Sequence, residues 1–250
     1  MPGHPFDQSS YQVRLDWGVD GLARLAPSEV VVVVDVLRFS STVIQAVERG
    51  EDFPLDAAAR AVSINGATVA ERAPETAAIV LLGGLRNAAA VAEAVLALQQ
   101  DRRVRTSVAI IACGELVSGA PGGPLRFAVE DLLGAGAIVN ALTDLGIDHS
   151  SPEAAAAGES FRALRGATRH LVAASGSGRE LALRHAQRSE RRTADPDAVR
   201  SPNGPGGSGA EDRATEHPTR ASPAEELHAA TAVDAASVVP ILRDGVFVAF

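Results

Sequence analysis

The chain has 250 residues, 46% of them hydrophobic, with a formal net charge of −8 and a single cysteine. That is enough apolar material for one large domain or two small ones, and the acidic balance argues against a general binder of nucleic acid or anionic membrane. One cysteine excludes an intramolecular disulfide and a cysteine-based zinc site. The N-terminal MPGHPFDQSS lacks the basic-then-apolar pattern of a secretory signal, and no apolar run is long enough to span a membrane. The expectation is a soluble, cytoplasmic protein with no nucleic-acid or membrane partner.

In chain order, residues 1–10 read as a disordered leader, Tyr11–Trp17 as an edge strand and Gly18–Leu25 as a short helix closed by Pro27. Val30–Val34 are five consecutive valines, followed by Asp35, Val36 and Leu37. Such a β-branched run suits a strand buried on both faces of a parallel sheet. Arg38 to Thr42 then bring a cation, an aromatic ring and three hydroxyls, and from Ser40 or Ser41 the pattern is helical. Residues 51–64 carry little signal. Ile64-Asn65-Gly66 reads as a turn from which Thr68–Arg72 opens a helix.

Ala77–Leu82 is a second buried strand and Gly83-Gly84 its turn, with Asn87 as N-cap of a helix reaching Leu98. Ser107–Ala112 is a third, ending in Cys113-Gly114-Glu115; a Gly/Pro-rich loop at 118–124 then precedes a long helix, Ala128–Leu145. Ser151-Pro152-Glu153 begins another helix. His170–Ala174 reads as a short strand, and Ser175–Gly178 as a turn into a helix around Glu180–Gln187. Residues 189–224, rich in Pro, Gly, Ser and charge, cannot bury enough surface to offset chain entropy and read as a disordered insertion. Ala224–Ala232 is a helix, and Val238–Leu242 a strand that turns at Arg243–Gly245 into Val246–Phe250. Strand, glycine-rich turn and helix alternate, which predicts a single α/β domain over 11–250, a mainly parallel β-sheet flanked by helices on both faces.

In such a fold ligands gather at the carboxyl ends of the strands. Four groups of residues fall there: Asp35 with Arg38 and its hydroxyl neighbours; Asn65-Gly66; Gly83 to Asn87; and Gly114-Glu115 together with Glu130-Asp131. The plainer alternatives are an Asp35–Arg38 ion pair closing a strand, and two acids placed at a helix start because the macrodipole favours them. Carboxylates without histidine or thiolate ligands suit a hard cation such as Mg²⁺. A magnesium ion beside an arginine is what a phosphoryl group needs as charge builds on its oxygens. Phosphate-ester chemistry follows as the expectation, with water activated by the metal or by a carboxylate. Cys113 reads as a buried small hydrophobe, and Ser175–Gly178 as an ordinary turn before a weak phosphate nest.

VVVVDVLRFSSTVIQAVERG resembles the opening signature of the 2-phosphosulfolactate phosphatase family. INGAT, GGLRNAAAVAEAV, IACGE with LRFAVEDLLGAGAIV, and SGRELALRHA with VDAASVVPILRDGVFV resemble four further family stretches in the same order. The resemblance implies an α/β phosphatase that uses Mg²⁺ on a small anionic phosphate ester, on the route to coenzyme M. It carries Asp35, Arg38, Asn65, Asn87, Glu115, Glu130 and Asp131 as site positions. Asp35, Glu130 and Asp131 would lie near the metal, and with Arg38 form the catalytic set; Arg38, Asn65, Asn87 and Glu115 would meet substrate. The alternative is a family member that binds an anionic metabolite or partner without turnover; a homodimer is the default assembly. Between Gly50 and Asn65 the chain is shorter than the family pattern, and the insertion interrupts a helix that otherwise continues.

Overall fold

The computed structural model describes residues 4–117, 123–194 and 222–250. In chain order the elements are β1 (Val13–Trp17), α1 (Gly18–Arg24), β2 (Ser28–Val34), α2 (Phe39–Glu48), β3 (Phe53–Pro54), α3 (Ala57–Val62), α4 (Ile64–Arg72), β4 (Ala77–Gly83), α5 (Ala88–Arg102) and β5 (Val108–Ala112). There follow β6 (Glu115–Leu116), β7 (Leu125–Arg126), α6 (Val129–Asp144), α7 (Pro152–Leu164), α8 (Thr168–Ala174), α9 (Gly176–Ala194), α10 (Pro223–Thr231), β8 (Pro240–Arg243) and β9 (Val246–Ala249).

One seven-stranded sheet runs in the order β1-β5-β2-β4-β8-β9-β3. β1, β5, β2 and β4 are parallel, and β8, β9 and β3 extend the sheet antiparallel. The expected α/β fold with a mainly parallel β-sheet is present. β2 is central, and the five valines are fully buried because both of its faces are covered. Val30, Val32 and Val34 join the layer formed with α5, α6 and α7, whereas Val31 and Val33 face α1, α2 and α4. Strand geometry sends alternate side chains to opposite faces. Each buried valine contributes about 1.5 kcal/mol of apolar transfer.

Several sequence expectations need correction. His170–Ala174 lies in helix α8, not in a strand; the apolar run of Leu171 to Ala174 is too short for its period to decide. Ile64-Asn65-Gly66 is the first turn of α4 rather than a loop, because the hydroxyl of Ser63 caps it by accepting from the Gly66 amide at 3.3 Å. Residues 51–64 hold β3 and α3, the latter capped by Asp56. Residues 4–10 are tied down rather than free, with the Gln8 side chain exchanging hydrogen bonds with the Leu15 backbone at 2.9 and 3.0 Å. At the expected insertion, α9 continues through Ala194 and α10 starts at Pro223 behind a Ser222–Glu225 capping box. The rest of that expectation, 195–221, and 118–122 of the glycine-rich loop lie outside the described residues. Among the described residues no helix is long and apolar enough to cross a membrane.

Candidate active site

Parallel pairing brings three strand ends level: Val34 pairs with Gly83 on one side and with Ala112 on the other. The segments leaving β2, β4 and β5 therefore start side by side. Asp35 follows β2 and is buried. Its Oδ1 accepts from the Phe39 amide at 3.2 Å and its Oδ2 from the Ser63 hydroxyl at 2.6 Å, while its own amide donates to Ser40 Oγ at 2.9 Å. These bonds turn the chain from strand into α2. A Cβ on Gly66 would stand 2.6 Å from Asp35 Oδ2 and 2.5 Å from Phe39 Cβ. Glycine there lets α4 press Ser63 onto the carboxylate.

Asp131, in the first turn of α6, ties two strand ends together. Its Oδ1 accepts from the Val36 amide at 2.8 Å and its Oδ2 from the Gly114 amide at 2.9 Å. Glu130 beside it is buried, and its Oε2 has no hydrogen-bond partner among the described residues. Asp35, Glu130 and Asp131 form one electrostatic cluster without a described cation paired to any of them. Burial raises the Asp35 carboxyl above the usual range, and the Glu130 charge adds to this. Asp131 is pushed well above its ordinary value, by burial first and then by Asp35 and Glu130. The Cys113 thiol is driven up by burial and by the Asp35 and Asp131 charges, so it remains the inert buried hydrophobe its position suggests.

Beside this cluster opens a cleft of about 280 Å³ whose walls include Arg38, Arg60, Ser63, Asn65, Glu115, Ser177 and Arg184. Asn65 donates from Nδ2 to the Gly114 carbonyl at 2.7 Å, fixing α4 against the end of β5. Glu115 accepts from Ser177 Oγ at 3.2 Å; burial raises its carboxyl first, and the Asp35 charge reinforces it. Arg60 and Arg184 pair with Glu71 at 2.7 Å and Glu180 at 2.6 Å. Arg38 does not pair with Asp35; its only ionic partner among the described residues is Glu226 of α10, at 3.6 Å.

The expected site residues thus separate into three sets. Arg38, Asn65 and Glu115 line the cleft. Asp35, Glu130 and Asp131 are buried and are not among its lining residues. Asn87 is fully buried with its side chain spent on backbone: Oδ1 accepts from the Gly84 amide at 3.1 Å, and Nδ2 donates to Leu82 and Val238 carbonyls at 3.2 and 3.1 Å. It therefore ties β4 to the approach of β8 rather than capping α5. Ser63 and Glu226 were not expected, and Ser177 entered only as part of the Ser175–Gly178 turn. Ser63 touches both layers, lining the cleft and donating to Asp35. A serine just before a helical run was its one sequence signal.

Fold and site together define an α/β protein with an arginine-lined cleft beside buried carboxylates at the carboxyl edge of its parallel strands. The family model for 2-phosphosulpholactate phosphatase matches residues 57–192, more than half of the chain. The protein belongs to the 2-phosphosulpholactate phosphatase family. The matched region includes Ser63, Asn65, Glu115, Glu130, Asp131 and Ser177, and begins after Asp35 and Arg38. Comparison with curated proteins gives no match.

Proposed function

We propose that the protein hydrolyses a small anionic phosphate monoester of the 2-phosphosulfolactate kind to the hydroxy acid and inorganic phosphate, with Mg²⁺ as cofactor. One observation carries this reading: a cleft lined by Arg38 lies at the same strand edge as three buried carboxylates. The planar guanidinium of Arg38 is the group suited to phosphoryl oxygens, which it can meet with two parallel donors. Asn65, held by Gly114, keeps a second amide hydrogen for the ligand's acid groups. Glu115 lies in the cleft wall with a raised carboxyl, which suits proton exchange with the attacking water or the departing alkoxide. Ser63 gives the buried Asp35 its connection to the cleft.

The residues present fit Mg²⁺. Their donors are all oxygen, Glu130 Oε2 lacks a partner among the described residues, and after burial the Glu130 charge raises Asp35 while the Asp35 and Glu130 charges raise Asp131. Among the described residues no group of three or more possible ligands is arranged around one point. Magnesium commonly takes only one or two carboxylates and keeps its waters. Glu130 would hold it through its unused oxygen, with one of Asp35 and Asp131 as a second carboxylate. When bound, it would neutralise charge on the phosphoryl oxygens.

The test is phosphate release from 2-phosphosulfolactate and related carboxylated or sulfonated phosphoesters, with Mg²⁺ and with chelator. Mg²⁺-dependent release that Asp35→Asn abolishes supports the proposal; no release from any of them refutes it. A second reading, anion binding without turnover, is favoured by the seclusion of the three acids from the cleft wall. Calorimetric binding of sulfolactate in a protein that releases no phosphate would select it.

A further inference from the structure

We propose that Glu226 is the built-in counter-ion of Arg38, an affinity-determining residue that an incoming phosphoryl group must outcompete. The inference rests on the reading of Arg38 as the anion-holding residue of the cleft. Glu226 sits in the first turn of α10, outside the residues matched by the family model. Its Oε2 lies 3.6 Å from a terminal nitrogen of Arg38, and both side chains are largely buried, at 20% and 23% exposure. That separation is ionic but too long for a hydrogen bond. The same oxygen is buried and has no hydrogen-bond partner among the described residues.

Arg38 is therefore balanced in charge without its donors being satisfied by this acid. Helix α10 is held in place independently: Ser222 and Glu225 cap it reciprocally, and Arg86 donates to the Ala229 carbonyl at 3.2 Å. Glu226 is thus free of any described duty in fixing its own helix. A carboxylate so placed keeps the guanidinium from standing as a lone buried charge before ligand arrives. Once an anion is bound, the same carboxylate repels it across the guanidinium. Glu226 thereby weakens retention of inorganic phosphate, the product that must leave.

The experiment is calorimetric titration of the full chain with inorganic phosphate, comparing wild type, Glu226→Gln and Glu226→Asp at low ionic strength. Glu226→Gln keeps the shape and removes the charge, and should tighten phosphate binding by roughly tenfold. The gain should shrink as salt is raised, and Glu226→Asp should fall between the two. Urea unfolding of all three proteins checks that α10 remains docked. Equal or weaker binding in a folded Glu226→Gln overturns the inference while leaving the cleft as an anion site. Phosphate binding to none of the three overturns the anion-site reading and this inference with it.

Discussion

Replacing Ser63 with alanine tests how the cleft and the buried acids are coupled. The hydroxyl has two roles: it accepts from the Gly66 amide to cap α4, and it donates to Asp35 Oδ2 at 2.6 Å. Losing the cap costs about 1 kcal/mol, and losing a hydrogen bond to a charged acceptor costs about 1.5–3 kcal/mol. The Ser63 bond favours the ionised form of Asp35, against the burial that raises its carboxyl. The second cost therefore applies only where Asp35 is ionised. Urea unfolding of wild type and Ser63→Ala, followed from about pH 4 to about pH 9, should show a loss near 1 kcal/mol at the acid end. It should grow to about 2.5–4 kcal/mol above the raised Asp35 value. Ser63→Thr, which keeps the hydroxyl, should restore most of it. A loss that is constant with pH would reduce Ser63 to a helix cap and refute the coupling.

The remaining predictions concern the other tied residues. Asp131 has its folded value raised, so its contribution to stability is complete below the unfolded value near 3.8 and is lost as pH climbs through the folded value. Asp131→Asn removes that titration, so its deficit relative to wild type should narrow as pH rises; a deficit that widens in thermal unfolding counts against the raised carboxyl. Asn87→Ala strips partners from three backbone groups, two of them buried, and should cost about 2–4 kcal/mol in urea unfolding. A cost below about 1 kcal/mol would mean that these bonds are replaced. A Cβ on Gly136 would lie 2.1 Å from the Ala157 carbonyl oxygen. Gly136→Ala should therefore destabilise the α6–α7 contact by about 2 kcal/mol despite the better helix propensity of alanine, and unchanged stability would refute that packing.

The five valines gave away β2 because burial on both faces leaves no alternation to obscure it, and the glycine turns after Leu82 and Ala112 marked two more strand ends. Ile64-Asn65-Gly66 misled because Gly66 looks like a turn residue, whereas its real constraint is the space taken by Asp35 and Phe39, residues distant in sequence. The His170–Ala174 stretch misled because four apolar residues fit either period. At the site, Arg38, Asn65 and Glu115, taken from separate motifs, line one cleft. Ser63 and Glu226 were silent, since each matters through a contact with a residue at least 28 positions away, and Ser177 stood out only as part of a glycine-rich turn. Asn87 had the right residue type for a cap, and only the return of the chain near Val238 showed where its amide is used.

The short segment between α2 and α3 has a consequence for life in a crowded solution. β3 closes one side of the sheet, and it consists of Phe53 and Pro54 alone, paired to Phe247 and Val246. A two-residue border strand offers little ladder for a stranger to extend, and a proline has no amide hydrogen to give it. Lengthening this strand, or replacing Pro54 with valine, would leave an open hydrogen-bonding margin beside the buried ring of Phe247. The abbreviated segment thus leaves this border of the sheet little backbone for the strand of another molecule to pair with.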